Sequence, residues 1–289
     1  MLDIMTKAKD AIKAYNTALN VYSSNIANMS VTGYKRLDIS FQSIFEKLLH
    51  GGSPANLFEG TGGTNPMQLG QGVGIGGVSL DFSQGTFSSA GFLDLAISGQ
   101  GLFMVTPDDG QTIYYTRNGK FHIDAEGYLR TESGMKIYGT SGLGGALTFI
   151  QVPPLTNTRL LSFDSNGTLT LYPEKYDDDS NPLGYPDIEA VPTATYHSVV
   201  LTYFPNPSGL KQSQASTFEE SLASGEPQGY SNPGYGAYGA VFPRQLEQSN
   251  VFYLEETINS LEIQRAMSGN LTIVRMASDI ISQFINRLS

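Results

Sequence analysis

The sequence predicts an α+β fold: a mainly-β body of short antiparallel strands and hairpins, with N- and C-terminal α-helices packing as a coiled-coil-like inner layer. Three observations carry this prediction. Apolar residues recur at three- and four-residue steps over residues 4–26 and again from residue 251 to the end, the spacing of a helical stripe. Gly (32) and Pro (14) are abundant in 289 residues while charged residues reach only 15%, a balance that favours turns and short strands. Between the two helical ends, Val, Ile, Tyr, Phe and Thr alternate with polar residues and are punctuated by turn dipeptides. With 40% apolar residues the chain can bury a core.

The first element, residues 1–35, is a helix whose stripe is Ile4, Ala8, Ile12 (with Ala11), Tyr15, Leu19, Tyr22 and Ile26. It ends in "SSNIANMSVTGYKR" (23–36), where Ser24, Asn25 and Asn28 interrupt the apolar pattern and Gly33 is free to take positive φ and stop the helix. Residues 36–78 follow as an extended Gly/Pro-rich arm, since "HGGSPANLFEGTGGTNPMQLGQGVGIGG" (50–77) is dominated by Gly, Pro, Ser and Asn. The β-rich domain spans 79–245. In it, "LDLAISGQGLFMVTPDDGQTIYYTRNGKFHIDAEGYLRTESGMKIYG" (93–139) reads as successive hairpins turned at "DDG", "RNG", "AEG" and "ESG". A strand–Asp–turn–Gly–strand unit occurs twice, "FHIDAEGYL" (121–129) and "LSFDSNGTL" (161–169). A second loop-like tract, "SGEPQGYSNPGYGAYGAVFP" (224–243), reads as a flexible connector.

Residues 246–289 form the last helix, with one stripe through Val251, Leu254, Ile258 and Leu261 and another through Val274, Ala277, Ile281, Phe284 and Leu288. The phase slips between Arg265 and Leu271, around Gly269, which predicts a bend or register shift there. Neither terminal stripe can be buried by its own helix. The two ends either close on each other as a hairpin or pack between copies of the chain, and the second arrangement is the one expected here.

Composition excludes several activities. The chain carries 17 basic against 27 acidic residues, net −10, so nucleic acid is a poor partner. It has no cysteine, which removes disulfides, Cys-ligated zinc and thiol nucleophiles. His50, His122 and His197 fall in separate segments without carboxylates at ligand spacing, so no metal is expected. "GVGIGG" has dinucleotide-binding spacing, yet a strand-like run follows where that motif needs a helix. In "DDDSNPLGYPDIE" (177–189), Asp177, Asp179 and Asn181 sit at calcium-loop intervals, but Pro182 and Ile188 occupy the positions of Gly and Glu, so a solvated acidic loop is the better reading. No serine stands in a nucleophile context. No catalytic residue, cofactor or membrane insertion is expected, and the N-terminus has no continuous apolar run of a signal peptide.

"NIANMSVTGYKR" resembles the signature of the bacterial flagellar rod and hook proteins, with Asn28, Thr32, Gly33, Tyr34 and Lys35 matching an Asn-x-x-x-Thr-Gly-aromatic-Lys turn. The likeness continues through "FSQGTFSSAGFLDLAISGQGLFMV" and "YYTRNGKFHIDAEGYLRTESG" and ends in "LEQSNVFYLEETINSLEIQRA". Ser24 departs from it, standing where a second asparagine is usual, as do Met267 and Gly269, where the family tends to be bulkier and more helical.

The resemblance implies an axial structural protein, not an enzyme: terminal helices of neighbouring copies line an inner tube and the β domain forms an outer layer. On that reading Ile4, Ile12, Tyr15, Leu19, Tyr22, Asn25, Ile26 and Asn28 would serve polymerisation at the N-terminal end. At the other end Leu254, Ile258, Leu261, Gln264, Arg265, Ile281, Phe284 and Leu288 would do so. Asn25 and Asn28 would hydrogen-bond laterally or to water in the tube. The implied partners are further copies of the chain, adjacent rod and hook proteins and the flagellar export apparatus, which would export it without a cleaved signal peptide. A body of this size fits a distal-rod subunit, with a hook or proximal-rod subunit as the alternative. An extracellular β-rich binding protein is the alternative of another class.

Overall fold

The computed structural model describes residues 2–44, 47–50, 67–70, 72–141, 145–153, 156–176 and 182–288, with residues 2, 47–50, 67–69, 215 and 288 described by their backbone alone. Residues 51–66 of the expected arm and the acidic stretch 177–181 lie outside the described residues. The chain divides into a unit made of Met1–Ala27, Leu37–Ser79 and Phe252–Ser289 and a unit made of Asn28–Arg36 and Leu80–Val251.

The first unit is built on two helices, α1 (Leu2–Ala27) and α2 (Tyr253–Leu288). Acidic residues open both, Asp3 in α1 and Glu255 and Glu256 in α2, and Arg287 closes α2, each matching the sign of the helix dipole. The helices pack on one another within the chain. They run in opposite directions, because Asn25 bonds Glu256 near one end while Ile4 and Ala8 share a cavity with Asn270 and Ile273 near the other. The hairpin arrangement is therefore the one observed in the single chain.

The buried stripe of α1 is Ala8, Ala11, Ala14, Ala18, Val21 and Asn25. It repeats at steps of three and four but falls one position before the expected Ile12–Leu19–Tyr22–Ile26 ridge. Small side chains let the two helix axes approach, and the bulky ridge is left half-buried beside the seam. On α2 the covered face runs through Glu256, Ile263, Asn270, Val274, Ala277 and Ile281. The Leu254–Ile258–Leu261 stripe lies on another face and is exposed. Of the expected bend or register shift, the helix shows no break: α2 runs uninterrupted over 36 residues through Gly269, and the phase slip in the sequence goes with a change of the covered face.

The arm supplies paired strands to this unit. Leu37–Ser43 pairs with Val73–Leu80, and Lys47–His50 pairs antiparallel with Met67–Leu69.

The second unit is the β body. One sheet path runs Leu161–Phe163, Thr168–Leu171, Ala194–Val199, Lys136–Thr140, Leu102–Thr106, Tyr114–Thr116, Thr217–Glu219 and Lys211–Gln212, every registered pair antiparallel. Its core is apolar and β-rich, with Ile97, Phe103, Val105, Leu129, Ile137, Leu161 and Val199 excluded from solvent. Phe103 and Phe121 meet edge to face at 5.2 Å, a favoured ring geometry.

Three of the four expected turns close hairpins: "DDG" joins Leu102–Thr106 to Tyr114–Thr116, "AEG" joins Phe121–Ile123 to Leu129–Thr131, and "ESG" joins Leu129–Thr131 to Lys136–Thr140. "RNG" does not. The strand before it pairs with Leu102–Thr106 and Thr217–Glu219 and the strand after it with Leu129–Thr131, because Arg117 turns into the interior.

The repeated unit is real in three dimensions. Asp124 and Asp164 each accept a backbone N–H four residues on, from Tyr128 at 2.7 Å and Thr168 at 2.8 Å, and their carbonyls accept from Gly127 and Gly167. The 224–243 tract is not a free connector. Ala240–Pro243 pairs with Leu95–Ser98, Ser231 bridges Leu201, and the Thr202 hydroxyl donates to the Gly229 carbonyl at 2.6 Å.

Candidate functional site

The motif turn builds up from its glycine. Val31 N–H donates to the Asn28 carbonyl at 3.0 Å, closing the first turn after α1. Gly33 then takes φ +68°, and a Cβ there would stand 2.5 Å from Asn118 N and 2.6 Å from the Arg117 carbonyl carbon. Both the left-handed backbone and the lack of space require glycine. Its N–H donates to the Glu247 carbonyl at 2.9 Å, tying the turn to the strand Gln245–Glu247. Tyr34 is 2% exposed.

Lys35 is fully buried. Its ammonium donates to Glu247 Oε1 at 2.6 Å and to the Ser83 carbonyl at 2.7 Å. Glu247, equally buried, accepts Arg117 at Oε2 (3.2 Å) and the Gly85 N–H at Oε1 (3.0 Å). Arg117 also donates to the carbonyls of Ile97 and Gly99.

Burial pushes the Lys35 ammonium below its ordinary pKa, against the pull of Glu247, and acts likewise on the Arg117 guanidinium. Two cations thus share one carboxylate in the interior; the carbonyls of Ser83, Ile97 and Gly99 take further donors, while Arg117 Nε is buried without a partner among the described residues. Next to them Arg36 N–H donates to Asn250 Oδ1 at 2.7 Å, Asn250 donates to the Asp81 carbonyl at 2.8 Å, and Asp81 N–H returns to the Arg36 carbonyl at 2.8 Å.

In the helical unit Asn25 is buried and acts inside its own chain. Its amide donates to the Leu37 carbonyl (2.9 Å) and to Glu256 Oε2 (3.2 Å), and its oxygen accepts the Leu37 N–H (3.0 Å). The lateral or water-directed bonding expected for Asn25 is replaced by this pin between α1, the first arm strand and α2.

The other sequence-selected residues separate by exposure. Ile12, Tyr15, Leu19, Tyr22, Ile26, Asn28, Thr32 and Ile281 are half-buried. Ile4, Leu254, Ile258, Leu261 and Phe284 are exposed, as are Gln264 and Arg265, and the Leu288 side chain lies outside the described residues. Met276, Ile280 and Ile285 add to the exposed apolar surface of α2, and every side chain from Ser282 to Arg287 is exposed.

Sequence reasoning missed Arg117, Glu247, Asn250 and Glu256 as position-setting residues. Each stands inside a quoted family-like stretch, and its charge or amide was the available signal. Among the described residues no group of three or more His, Asp or Glu could hold a metal ion, and no helix is long and apolar enough to cross a membrane.

Two family models match the chain. The flagellar hook protein FlgE/F/G D1 domain covers residues 96–171, and the flagella basal body rod protein covers 8–35. The flagellar basal-body rod protein FlgG of Bacillus subtilis is 29% identical over 288 residues, 99% of both chains. That of Buchnera aphidicola subsp. Baizongia pistaciae is 29% identical over 285 residues, 98% of both. The flagellar hook protein FlgE of Helicobacter mustelae is 38% identical over 141 residues, 48% of this chain and 31% of the hook protein.

Proposed function

We propose, from the chain's membership of the family of flagellar rod and hook proteins, that it is a subunit of the distal rod that polymerises through its terminal helices into a hollow tube. The observation that carries the rod over the hook is colinearity: the rod relatives align over 98–99% of both chains, whereas the hook relative shares less than half of this one. The exposed Leu254–Ile258–Leu261 stripe and, farther along α2, the exposed Phe284 support polymerisation through the helical unit. Exposed apolar surface along a helix of this kind marks association sites. Each copy brings its α1–α2 pair ready-made and buries these residues against its neighbours in coiled-coil-like fashion.

In this reading the helical unit lines the tube and the β body forms the outer layer. Adjacent rod and hook subunits are the partners, the flagellar export apparatus delivers the chain, and its place is the basal body. It has no catalytic role. The Lys35–Glu247–Arg117 cluster holds the start and end of the β body together.

Electron microscopy of concentrated protein tests polymerisation. Wild-type chain is expected to form tubes or short filaments, and Ile258→Asp and Phe284→Asp to remain monomeric with unchanged folding. Monomeric wild-type chain at every concentration, or filaments formed equally by both variants, would contradict it.

A further inference from the structure

We propose that a groove on the β body binds neutral oligosaccharide, a property independent of the assembly reading. The groove, about 440 Å³, lies where the turn before Thr168–Leu171, the strand Ala194–Val199 and the loop 232–235 meet. That volume is in the range of small-molecule sites.

Its lining is unusual for this acidic chain, since no charged side chain takes part. The amides of Asn166 and Asn232 and the hydroxyl of Thr195 stand beside two tyrosines, Tyr196 and Tyr235. A phosphate or carboxylate would find no counter-charge there. A pyranose ring matches the set, because its hydroxyls pair with amides and hydroxyls while its C–H face covers an aromatic ring. Tyr235 is 68% exposed at the rim, a large ring that the fold itself does not use.

The groove is held in shape before any ligand arrives. Asp164 fixes the turn through the N–H groups of Asn166 (2.9 Å) and Thr168 (2.8 Å). A Cβ on Gly167 would lie 3.0 Å from Pro233, so the bare glycine with φ +72° lets the 232–235 loop close over the turn. That loop is tied down by the Thr140 hydroxyl on Asn232 Oδ1 (3.1 Å) and by Gly234 N–H on the Gly239 carbonyl (2.8 Å). Thr168 and Ser198 already bond each other at 2.7 Å and Asn232 is buried on Thr140, so these form the floor and the Asn166 amide and the rings contact the sugar. Preorganisation of this kind lowers the entropy cost of binding.

The test is calorimetric titration of the full chain with chitotriose, cellotriose and maltotriose, whose acetamido groups and linkages distinguish the sugar sources. Saturable binding of at least one is expected, with Tyr235→Ala weakening it about tenfold or more, the loss of one ring contact. The melting temperature should stay unchanged, since the ring is exposed. No saturable binding up to about 10 mM of any of the three, or an affinity that Tyr235→Ala leaves within that tenfold margin, overturns the proposal.

Discussion

Replacing Glu247 by Gln tests the physics of the motif turn most sharply. The carboxylate is fully buried and accepts two cations, Lys35 at 2.6 Å and Arg117 at 3.2 Å, themselves 0% and 4% exposed. The isosteric amide keeps the volume and removes the charge. Lys35 and Arg117 are then left buried without a carboxylate, and Asp81 supplies only a weaker attraction for Lys35.

Breaking a buried pair from one side costs about 3–5 kcal/mol. For a unit of this size each kcal/mol moves the midpoint by about 2–4 °C, so the β unit should melt roughly 6–20 °C lower. Lys35→Met is the informative partner variant. It leaves Glu247 with Arg117 in a balanced pair, so its cost should be no more than about half as large. Scanning calorimetry on both variants reads the difference. A Glu247→Gln shift below about 2 °C, or a Lys35→Met variant less stable than Glu247→Gln, would refute the view that one carboxylate neutralises two interior cations.

Gly33→Ala should destabilise the chain by about 2 kcal/mol or more in urea unfolding, because the new Cβ meets Asn118 backbone at 2.5 Å in a left-handed residue. Asn25→Ala should cost about 1–3 kcal/mol, since it leaves the Leu37 N–H and carbonyl without their side-chain partner; amide exchange at Leu37 should quicken accordingly. Burial raises the Tyr115 phenol to about 12. Unfolded tyrosine loses its proton near pH 10, so between there and about 12 the folded chain holds the extra proton and stability falls as pH rises. Tyr115→Phe should flatten that alkaline slope in denaturant titrations at pH 10, 11 and 12, and an unchanged slope would contradict it. Ile258→Asp, at a site 47% exposed, should change folding stability by no more than about 0.5 kcal/mol while abolishing assembly.

The parts of the fold legible in the sequence were those with local causes. Thr32 and Gly33 announced the turn, and the "AEG" and "ESG" tripeptides announced hairpins because turn chemistry acts within a few residues. The same rule misled at "RNG", where Arg117 is drawn inward by Glu247, 130 residues away. Such a pairing leaves no periodic trace. The inner seam of α1 was only partly legible: Ala8 and Ala11 entered the expected stripe, but Ala14 and Ala18 give a weak apolar signal, and the neighbouring Tyr15, Leu19 and Tyr22 dominated the pattern. Asn25 stood out as a polar residue on that helix, but its partners Leu37 and Glu256 became visible only once α1, the arm strand and α2 were placed together.

Cross-linking tests the central claim directly, because the chain has no cysteine of its own. Paired Ile258→Cys and Phe284→Cys substitutions place thiols on two exposed apolar stretches of α2, and Leu222→Cys, fully exposed on the β body, serves as control. Oxidation of assembled protein should give a ladder of covalent multimers from the paired variant and monomer from the control. A paired Ile258→Cys, Phe284→Cys chain that stays monomeric in assembled material would contradict the claim that α2 meets neighbouring copies through its exposed apolar residues.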